Sequence, residues 1–334
     1  MRIATYNVEW MDSLFDAEGE LRADDGWSGR YNVTRRAQAE ALRRVLRALN
    51  ADAIMIIEAP DGHRRRDGVA ALQNFAAWSD LRTRSAVMGF VNETQQEIAL
   101  LYDPKRLSPR HDPQSSAEAP QFDTEFEIDL DVDAHPDRVR WSKPPLELSV
   151  ETAGGRTLRM IGVHAKSKAP HGAKGRAAIM QVSIASRRKQ LAQCIWLRAR
   201  AVEHLARGEA LMILGDFNDG PGLDEYERLF GRSGVEIVLA PESALPLYDP
   251  HAAMAVGRRL SANPTTARFW QADARRWLSV LLDYIMVSPD LRARSPVWKI
   301  WHPFDDPDCY GNPELREALL TASDHFPVVC EIDF

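Results

Sequence analysis

Cysteine is scarce in this sequence, and long apolar runs are absent. The three cysteines, Cys194, Cys309 and Cys330, are odd in number and lack metal-site spacing, which argues against a disulfide framework and a Cys-rich metal centre. The N-terminal segment MRIATYNVEWM has no apolar stretch typical of a secretory leader, and no run approaches the roughly 20 residues of a membrane span. We therefore expect reduced thiols in a cytoplasmic protein without a membrane span.

Acidic residues are missing from one long part of the chain. Between Thr152 and Val202 there is no Asp or Glu, whereas eleven Lys and Arg occur there, and we call this segment the acid-free stretch. The chain has 42 Lys and Arg against 48 Asp and Glu, so the remainder holds 31 basic residues and a balance of −17. The stretch indicates either a positive surface for a phosphate-rich partner or a solvated helix face with its loop. The sequence leaves both interpretations open.

Apolar residues occur in many short segments, which points to an α/β fold. Hydrophobic residues make up 45% of the 334 positions, enough for a sizeable core. The segments that predict strands are 3–10, 53–60, 86–91, 97–102, 146–152, 157–168, 211–215, 280–288, 295–301 and 326–334. Longer periodic segments predict helices over 34–49 and 176–207. Because no repeat, low-complexity tract or linker divides the chain, we interpret residues 1–334 as one domain.

Residues 123–133, DTEFEIDLDVD, alternate strictly between acidic and other side chains. That period of two predicts a half-buried strand with an acidic outer face. The row of carboxylates is compatible with a bound cation, but a charged face that discourages pairing at a sheet edge is the favoured interpretation.

Polar side chains stand at the ends of several aliphatic runs. The clearest case is LMILGDFNDGPG (211–222), where four aliphatic residues lead into Asp216, Asn218 and Asp219. Taken alone this segment is a turn, since Asp, Asn and Gly are ordinary turn formers. The coincidence recurs, however, and a carboxylate beside a core needs a partner or a metal. The other residues of this kind are Asn7, Glu9, Glu58, His164, Lys166, Asp283, Asp324 and His325.

Six segments, in this order, resemble the endonuclease/exonuclease/phosphatase superfamily, which includes deoxyribonuclease I and exonuclease III relatives. They are TYNVEW, IIEAP, HAKSK, LGDFND, LDYIMVS and SDHFPV, and they span residues 5–328. GDFN and SDHFP are specific in combination, although either alone is a weak signal. The resemblance implies a four-layered α/β sandwich, with two packed mixed β-sheets flanked by helices and an active site at one end.

The resemblance also implies roles for single residues. The ligands expected for Mg²⁺, with Mn²⁺ as a possible substitute, are Asn7, Glu9, Glu58 and Asp324. The expected catalytic residues are Asp216, Asn218, His164, Asp283 and His325, and Asn218 is also expected to bind the substrate. Apart from the resemblance, we expect Lys166 and Lys168 to bind the substrate through its phosphates. Asp216 would orient or deprotonate the attacking water, and Asp283 would hold His325 against a phosphate oxygen. The competing interpretations are a satisfied buried residue for Asp283 or His164 and a solvated loop for the two lysines.

Phosphoester hydrolysis gives these residue types a physical rationale. Mg²⁺ prefers oxygen ligands, which Glu, Asp and Asn supply, and it polarises a phosphoryl oxygen. A second carboxylate, off the metal, then accepts a proton from water. The expected activity is therefore that of a Mg²⁺-dependent phosphodiesterase.

The substrate is less sharply indicated. The segment RVRWSKPPLELSV (138–150) resembles one in bacterial nuclease-like members, and the basic loop 169–178 follows His164 and Lys166. Both favour a polyanionic substrate such as DNA or RNA. We expect the protein to act as a monomer. The alternatives are a phosphatase or phosphodiesterase for a small-molecule or lipid phosphoester, and a non-catalytic nucleic-acid-binding module. The Trp-Arg pair that abasic-site endonucleases carry before the LDY strand is replaced here by Arg276-Trp277-Leu278.

Overall fold

Two mixed β-sheets form the centre of the protein in the computed structural model, which describes all residues except 64–65, 130–136, 170–171, 221–230, 258–262 and 272–274. The six-stranded sheet contains, in spatial order, β14 (Val297–Ile300), β15 (Val328–Glu331), β1 (Arg2–Asn7), β2 (Ala53–Ala59), β4 (Glu97–Tyr102) and β3 (Ser85–Met88). The five-stranded sheet contains β13 (Asp283–Val287), β10 (Leu211–Asp216), β9 (Thr157–His164), β8 (Leu146–Thr152) and β5 (Leu107–His111). Two small hairpins pair β6 (Phe126–Ile128) with β7 (Asp137–Val139) and β11 (Ala267–Gln271) with β12 (Arg276–Val280).

The helices cover the outer faces of the sheets. They are α1 (Arg35–Leu49), α2 (Gly68–Trp78), α3 (Arg176–Ala206), α4 (Gly234–Leu239), α5 (Pro250–Gly257), α6 (Pro289–Arg292), α7 (Pro307–Gly311) and α8 (Pro313–Ala322). α1 begins where predicted because the Thr34 hydroxyl accepts the N–H of Ala37 and so satisfies one free donor of the first turn. None of the described helices has the length and apolarity needed to cross a membrane.

Alternation along β2 shows how the layers arise. Met55 and Ile57 pack in a core shared with strands of the other sheet, whereas Ile54 and Ile56 pack in a core with α1. Because successive side chains point to opposite faces, a strand between two layers must be apolar on both. A third core joins the outer face of the five-stranded sheet to α3 and α4. The layers are therefore helices, sheet, sheet and helices, which confirms the predicted four-layered sandwich.

Most predicted strands are present, but the first one ends early. β1 stops at Asn7 instead of continuing to Trp10, because Glu9 and Trp10 both take left-handed backbone conformations with φ of 48° and 57°. Two consecutive left-handed residues turn the chain out of the extended conformation. The acidic segment is only partly described: β6 covers three of its residues, and 130–133 lie outside the described part of the chain.

The strand predicted over 280–288 is in fact two strands, which is a correction. β12 ends at Val280, and β13 begins at Asp283 in the five-stranded sheet. Between them, the N–H groups of Leu282 and Asp283 both donate to the hydroxyl of Thr266, at 3.0 Å each. This hydroxyl replaces strand partners at the point where the chain passes from the small hairpin into the sheet.

Strand direction brings the polar strand ends to one edge. β1 and β2 are parallel, with Asn7 opposite Ile57, and β9 and β10 are parallel, with His164 opposite Asp216. β13 and β15 run antiparallel to their neighbours, so the residues that precede or begin them lie at the same edge. Both sheets therefore present their polar ends on one side of the molecule.

Candidate active site

Asn7 connects the two sheets at this edge. Its side-chain amide nitrogen donates to Asp216 Oδ2 at 3.1 Å and lies 3.4 Å from Glu58 Oε1. Asp216 belongs to the five-stranded sheet, whereas Glu58 belongs to the six-stranded sheet. Asn7 is only 2% exposed. Three of the predicted site residues thus form one hydrogen-bonded group across the interface of the sheets.

Glu58 lies at an irregularity of β2. The pairing of β2 with β4 shifts register between Ile57 and Ala59, and Glu58 between them has a left-handed φ of 64°. Its Oε2 accepts the N–H of Trp10 at 2.9 Å, and its Oε1 lies 3.9 Å from His164 Nε2. A non-glycine residue held in this conformation stores backbone strain of a kind that clusters at functional sites.

The carboxylate of Asp216 is the centre of the polar group. Its Oδ1 accepts the backbone N–H of Asn218 at 2.7 Å, and its Oδ2 accepts the side-chain amides of Asn218 and Asn7, each at 3.1 Å. Burial raises the pKa of Asp216 to about 7, with the positive charge of His325 opposing this shift and the negative charge of Asp283 adding to it. The group therefore changes charge close to neutral pH.

Asp283 and His325 form a buried pair beside Asp216. His325 Nδ1 lies 2.8 Å from Asp283 Oδ2, and His325 Nε2 lies 4.0 Å from Asp216 Oδ2 and 3.9 Å from Asp324 Oδ1. Burial alone would lower the pKa of His325, but the surrounding carboxylates, Asp283 first, outweigh it and raise the pKa well above its usual value. His325 is thus a positively charged donor at neutral pH.

His164 faces the opposite side of the same carboxylate. Its Nε2 is 3.7 Å from Asp216 Oδ2 and 3.1 Å from the ammonium nitrogen of Lys143. Burial, together with the positive charges of Lys143 and His325, holds the pKa of His164 well below its usual value. His164 is therefore neutral, in contrast to His325.

Lys143 is a site residue that the sequence analysis missed. Burial lowers its pKa, and the negative charges of Glu58 and Asp216 act in the opposite direction. The available signal was its place in RVRWSKPPLELSV, where a lysine precedes two prolines and the buried start of β8. Only the fold shows that its ammonium group lies beside His164.

The side chain of Glu9 contacts the backbone of Asp324. Glu9 Oε2 accepts the N–H of Asp324 at 2.9 Å, and the same carboxylate forms an ion pair with Arg30. The Asp324 side chain is 30% exposed, so it faces the solvent-accessible part of the site. Arg30 also was not anticipated from the sequence.

The predicted lysines differ in their surroundings. Lys166 donates from its ammonium group to the carbonyl of Ser167 at 3.2 Å, and Lys168 forms an ion pair with the buried Asp219. Asp219 in turn accepts the N–H of Val235 at the start of α4. Lys168 is thus tied to the structure of the loop, whereas Lys166 contacts only a carbonyl among the described partners.

The acid-free stretch does not form one positive surface. Arg159 pairs with Asp112 and Glu209, and Arg200 is 1% exposed with its Nε 3.0 Å from Glu147 Oε1. These acids all lie outside the stretch. The stretch covers β9 and most of α3, so its described basic residues are distributed over several faces. Lys166 and Lys168 follow His164, and Arg187 of α3 lines the cavity beside Asn218.

Two sets of side chains could hold a divalent ion. The ligand atoms of Asp216, Asp283 and His325 lie within 4.8 Å of one another. His325, however, is protonated and bound to Asp283, and a protonated imidazole donates hydrogen bonds instead of coordinating.

The second set consists of Asn7, Glu58 and Asp324, with Glu9 beside them. It offers oxygen donors only, the ligands that Mg²⁺ and Mn²⁺ prefer. Within the described part of the chain, no Lys or Arg lies within 4.0 Å of the carboxylate of Glu58 or Asp324. Glu58 and Asp324 thus have no Lys or Arg ion pair among the described residues, although protonated His325 lies 3.9 Å from Asp324, and such oxygen donors fit a bound divalent cation.

This site and fold define a class of phosphoester hydrolases, and comparison with known proteins identifies the family. A model of the Endonuclease/Exonuclease/phosphatase family matches residues 4–325, a range that includes every residue of the site. The chain belongs to this family, which includes metal-dependent phosphodiesterases, and it is a hydrolase. No curated protein matches the chain significantly.

Solved structures share the fold at low sequence identity. Truncated TDP2 from Caenorhabditis elegans has a TM-score of 0.50 and 14% identity, covering 98% of this chain and 96% of that one. An AP endonuclease from Archaeoglobus fulgidus has a TM-score of 0.48 and 13% identity, covering 100% of each chain. At 14% identity the similarity to the TDP2 structure shows the fold and nothing finer.

Proposed function

We propose that the chain is a single-domain, Mg²⁺-dependent phosphodiesterase that hydrolyses DNA or RNA. The observation that carries the proposal is the buried carboxylate of Asp216, held by two amides and flanked by a neutral and a protonated histidine. A protein that only binds nucleic acid has no need of a buried base in such surroundings. The hydrogen-bond donors around it can stabilise the negative charge that develops on a phosphodiester during attack by water.

Asp216 is the proposed general base. It accepts a proton from water as the water oxygen bonds to phosphorus and the bond from phosphorus to the leaving oxygen breaks. A pKa of about 7 suits this task, because such a base is partly deprotonated at neutral pH and still binds a proton well. Asn218, whose side-chain amide donates to Asp216 Oδ2, is the proposed contact to the scissile phosphate.

The donors on either side of Asp216 are proposed to stabilise the phosphate. His325, kept protonated by Asp283, donates from Nε2 to a non-bridging oxygen, and Asp283 is its positioning residue. Neutral His164 and charged Lys143 approach from the other side. A donor aimed at developing charge typically contributes about 2.7–4 kcal/mol to the transition state.

The proposed holders of the metal ion are Asn7, Glu58 and Asp324, with Glu9 contributing negative charge next to Asp324. When bound there, a Mg²⁺ or Mn²⁺ ion supplies Lewis-acid polarisation of the phosphate. Lys166 and Lys168 are proposed to contact the substrate backbone, and the ion pair of Lys168 with Asp219 would then fix the lysine in place.

A small or lipid phosphoester is the second candidate substrate. A cavity of about 720 Å³ opens beside Asn218, and its lining includes Ile179, Phe269 and Leu278. Such a lining suits an apolar group attached to the phosphate. The cavity favours a phosphoester that carries a bulky apolar group. It is therefore an argument for this substrate class and against a polynucleotide.

The test is a hydrolysis panel of single- and double-stranded DNA, RNA, a nucleotide diester, an inositol phosphate and sphingomyelin. Each substrate is assayed with Mg²⁺, Mn²⁺ or EDTA. We expect metal-dependent cleavage of polynucleotides, lowered about 10²–10⁴-fold by Asp216→Asn, since that is the usual contribution of a general base. The exposed Asp333→Asn is the matched control and should cleave like the wild type. Cleavage of sphingomyelin or inositol phosphate alone would transfer the activity to the second candidate, and no turnover by the wild type would refute hydrolysis.

A further inference from the structure

The hairpin of β11 and β12 carries two exposed tryptophans. Trp270 and Trp277 face each other in the strand register, and they are 51% and 56% exposed. Their ring centroids are 5.7 Å apart in an edge-to-face arrangement. We call this pair the tryptophan platform. Exposed apolar patches lower the solubility of a protein, and in natural proteins they mark binding surfaces.

The hairpin is attached directly to the candidate active site. The N–H of Arg268 donates to the carbonyl of Asp324 at 2.7 Å, and Ala267 forms an isolated bridge with His325. Alternation along the hairpin turns Phe269 and Leu278 toward the cavity beside Asn218, so the platform lies on the other face. The platform thus belongs to a hairpin whose first strand is joined to the segment that bears Asp324 and His325.

The surroundings of the platform are positively charged. The guanidinium of Arg268 lies 4.9 Å from the ring centre of Trp277 and 4.8 Å from that of Phe304. Arg275 and Arg276 are exposed at the tip, and the sequence of residues 263–280 has three Arg against one acid, Asp273. Aromatic rings together with cations match a partner that has both flat bases and phosphates.

We propose that the tryptophan platform stacks unpaired bases and thereby directs single-stranded nucleic acid into the active site. This inference rests on the proposed nuclease function and adds the substrate class. In a duplex the faces of the bases are covered by their neighbours, so a tryptophan reaches a base face only where the strand is unpaired. Arg268 and the arginines of the tip hold the backbone while the rings hold the bases.

The experiment uses the full chain with Trp270→Ala/Trp277→Ala and with Trp270→Phe/Trp277→Phe. Affinity is measured in EDTA for a 20-nucleotide oligothymidylate and for a blunt duplex of equal length, and cleavage of both is measured with Mg²⁺. We expect the alanine pair to weaken single-strand binding by about ten-fold or more and duplex binding far less. The phenylalanine pair should restore most of the loss, because a phenyl ring also stacks on a base.

The control is Tyr310→Ala, which removes another exposed aromatic that lies beside an arginine, Arg316 at 5.2 Å, but is not on the hairpin. It should leave both affinities unchanged. Equal losses of affinity for single and double strands, or no loss, would overturn the inference. The proposed nuclease function would still hold in that case if the wild type cleaves polynucleotides. Wild-type self-association that the alanine pair abolishes would overturn it as well, since the platform would then be covered by a second copy. If the wild type cleaves no polynucleotide, the proposed function itself fails.

Discussion

The imidazole of His325 lies among the carboxylates of Asp283, Asp216 and Asp324, and these charges determine its protonation. Because its pKa is raised in the folded protein, the charged form persists as the pH rises above the usual titration range of histidine. His164 lies on the other side of Asp216, and burial together with the charge of Lys143 lowers its pKa, so it is neutral. The carboxylate of Asp216 thus lies between one protonated and one neutral histidine.

Replacing Asp283 by Asn should lower the pKa of His325. The change removes the nearest negative charge but leaves burial, which favours the neutral form. In the metal-free protein, the imidazole resonances of wild-type His325 should still be those of the charged form at pH 8, whereas those of the variant should titrate at a lower pH. The measurement is an NMR titration with EDTA present.

His251 is the internal control for that titration. Burial lowers its pKa to about 4, and the carboxylate beside it is that of Asp249, at 3.9 Å. Its titration should be the same in the wild type and the variant. An unchanged His325 titration in the Asp283→Asn protein would show that the pair is not the origin of the raised pKa.

Lys143 supplies the second prediction at this scale. If its ammonium group contacts a substrate phosphate, Lys143→Met should weaken polynucleotide binding about ten-fold at low salt. The slope of log affinity against log salt should fall by about one, as expected for one lost phosphate contact. Lys105→Met is the matched control, because Lys105 is exposed near Asp103, whose N–H bonds to Asp52 at the far end of β2. Equal salt slopes in the two variants would contradict the proposed contact.

At the scale of elements, Thr266 attaches the hairpin to the site. Its hydroxyl accepts the N–H groups of Leu282 and Asp283, and its carbonyl accepts the N–H of Phe326 at 2.6 Å. The residue is fully buried. One residue, through its hydroxyl and its backbone carbonyl, therefore links β13, which bears Asp283, to the segment that bears His325.

Thr266→Val should destabilise the protein, because the methyl group that replaces the hydroxyl cannot accept hydrogen bonds. A buried donor left without a partner costs about 1–3 kcal/mol, and here two donors lose theirs. Thr266→Ser keeps the acceptor and loses only a methyl group, worth about 0.8 kcal/mol. Chemical denaturation should rank the proteins wild type, Ser, then Val. A valine variant as stable as the serine variant would show that the two N–H groups find other partners.

The elements themselves were largely predictable from the sequence, because period and apolarity follow from which faces a strand or helix buries. α1, α3 and β10 lie within a residue or so of their predicted bounds. The junction at residues 281–282 was missed, since an apolar run gives no sign that its two halves belong to different sheets. That information resides in Thr266, sixteen or seventeen residues away along the chain.

The candidate site was predictable as a set of residues but not as a geometry. Polar residues at strand ends identified Asn7, Glu58 and Asp216, yet the bond between Asn7 and Asp216 joins residues 209 positions apart. It exists only because two sheets pack face to face. For the same reason the sequence around Lys143 did not show that its ammonium group lies beside His164.

At the scale of the whole molecule, the core between the sheets couples the two halves. It contains side chains from both sheets, among them Met55 and Ile98 on one side and Met160 and Leu214 on the other. Gly162 lies in β9 within this layer, where a Cβ would approach Met55 Sδ to 2.5 Å and Ile98 Cγ2 to 2.8 Å. The absence of a side chain at this position lets the sheets approach each other.

Gly162→Ala should therefore destabilise both sheets together, by about 1–3 kcal/mol, the usual cost of an overpacked core. If residues 1–334 are one domain, far- and near-ultraviolet circular dichroism should report the same single unfolding transition in the wild type, and the variant should shift both signals equally to lower denaturant. Gly311→Ala is the control, because a Cβ there meets no described atom within 4 Å. Two separated transitions, or a shift of only one signal, would mean that the sheets unfold independently and that the chain contains two units.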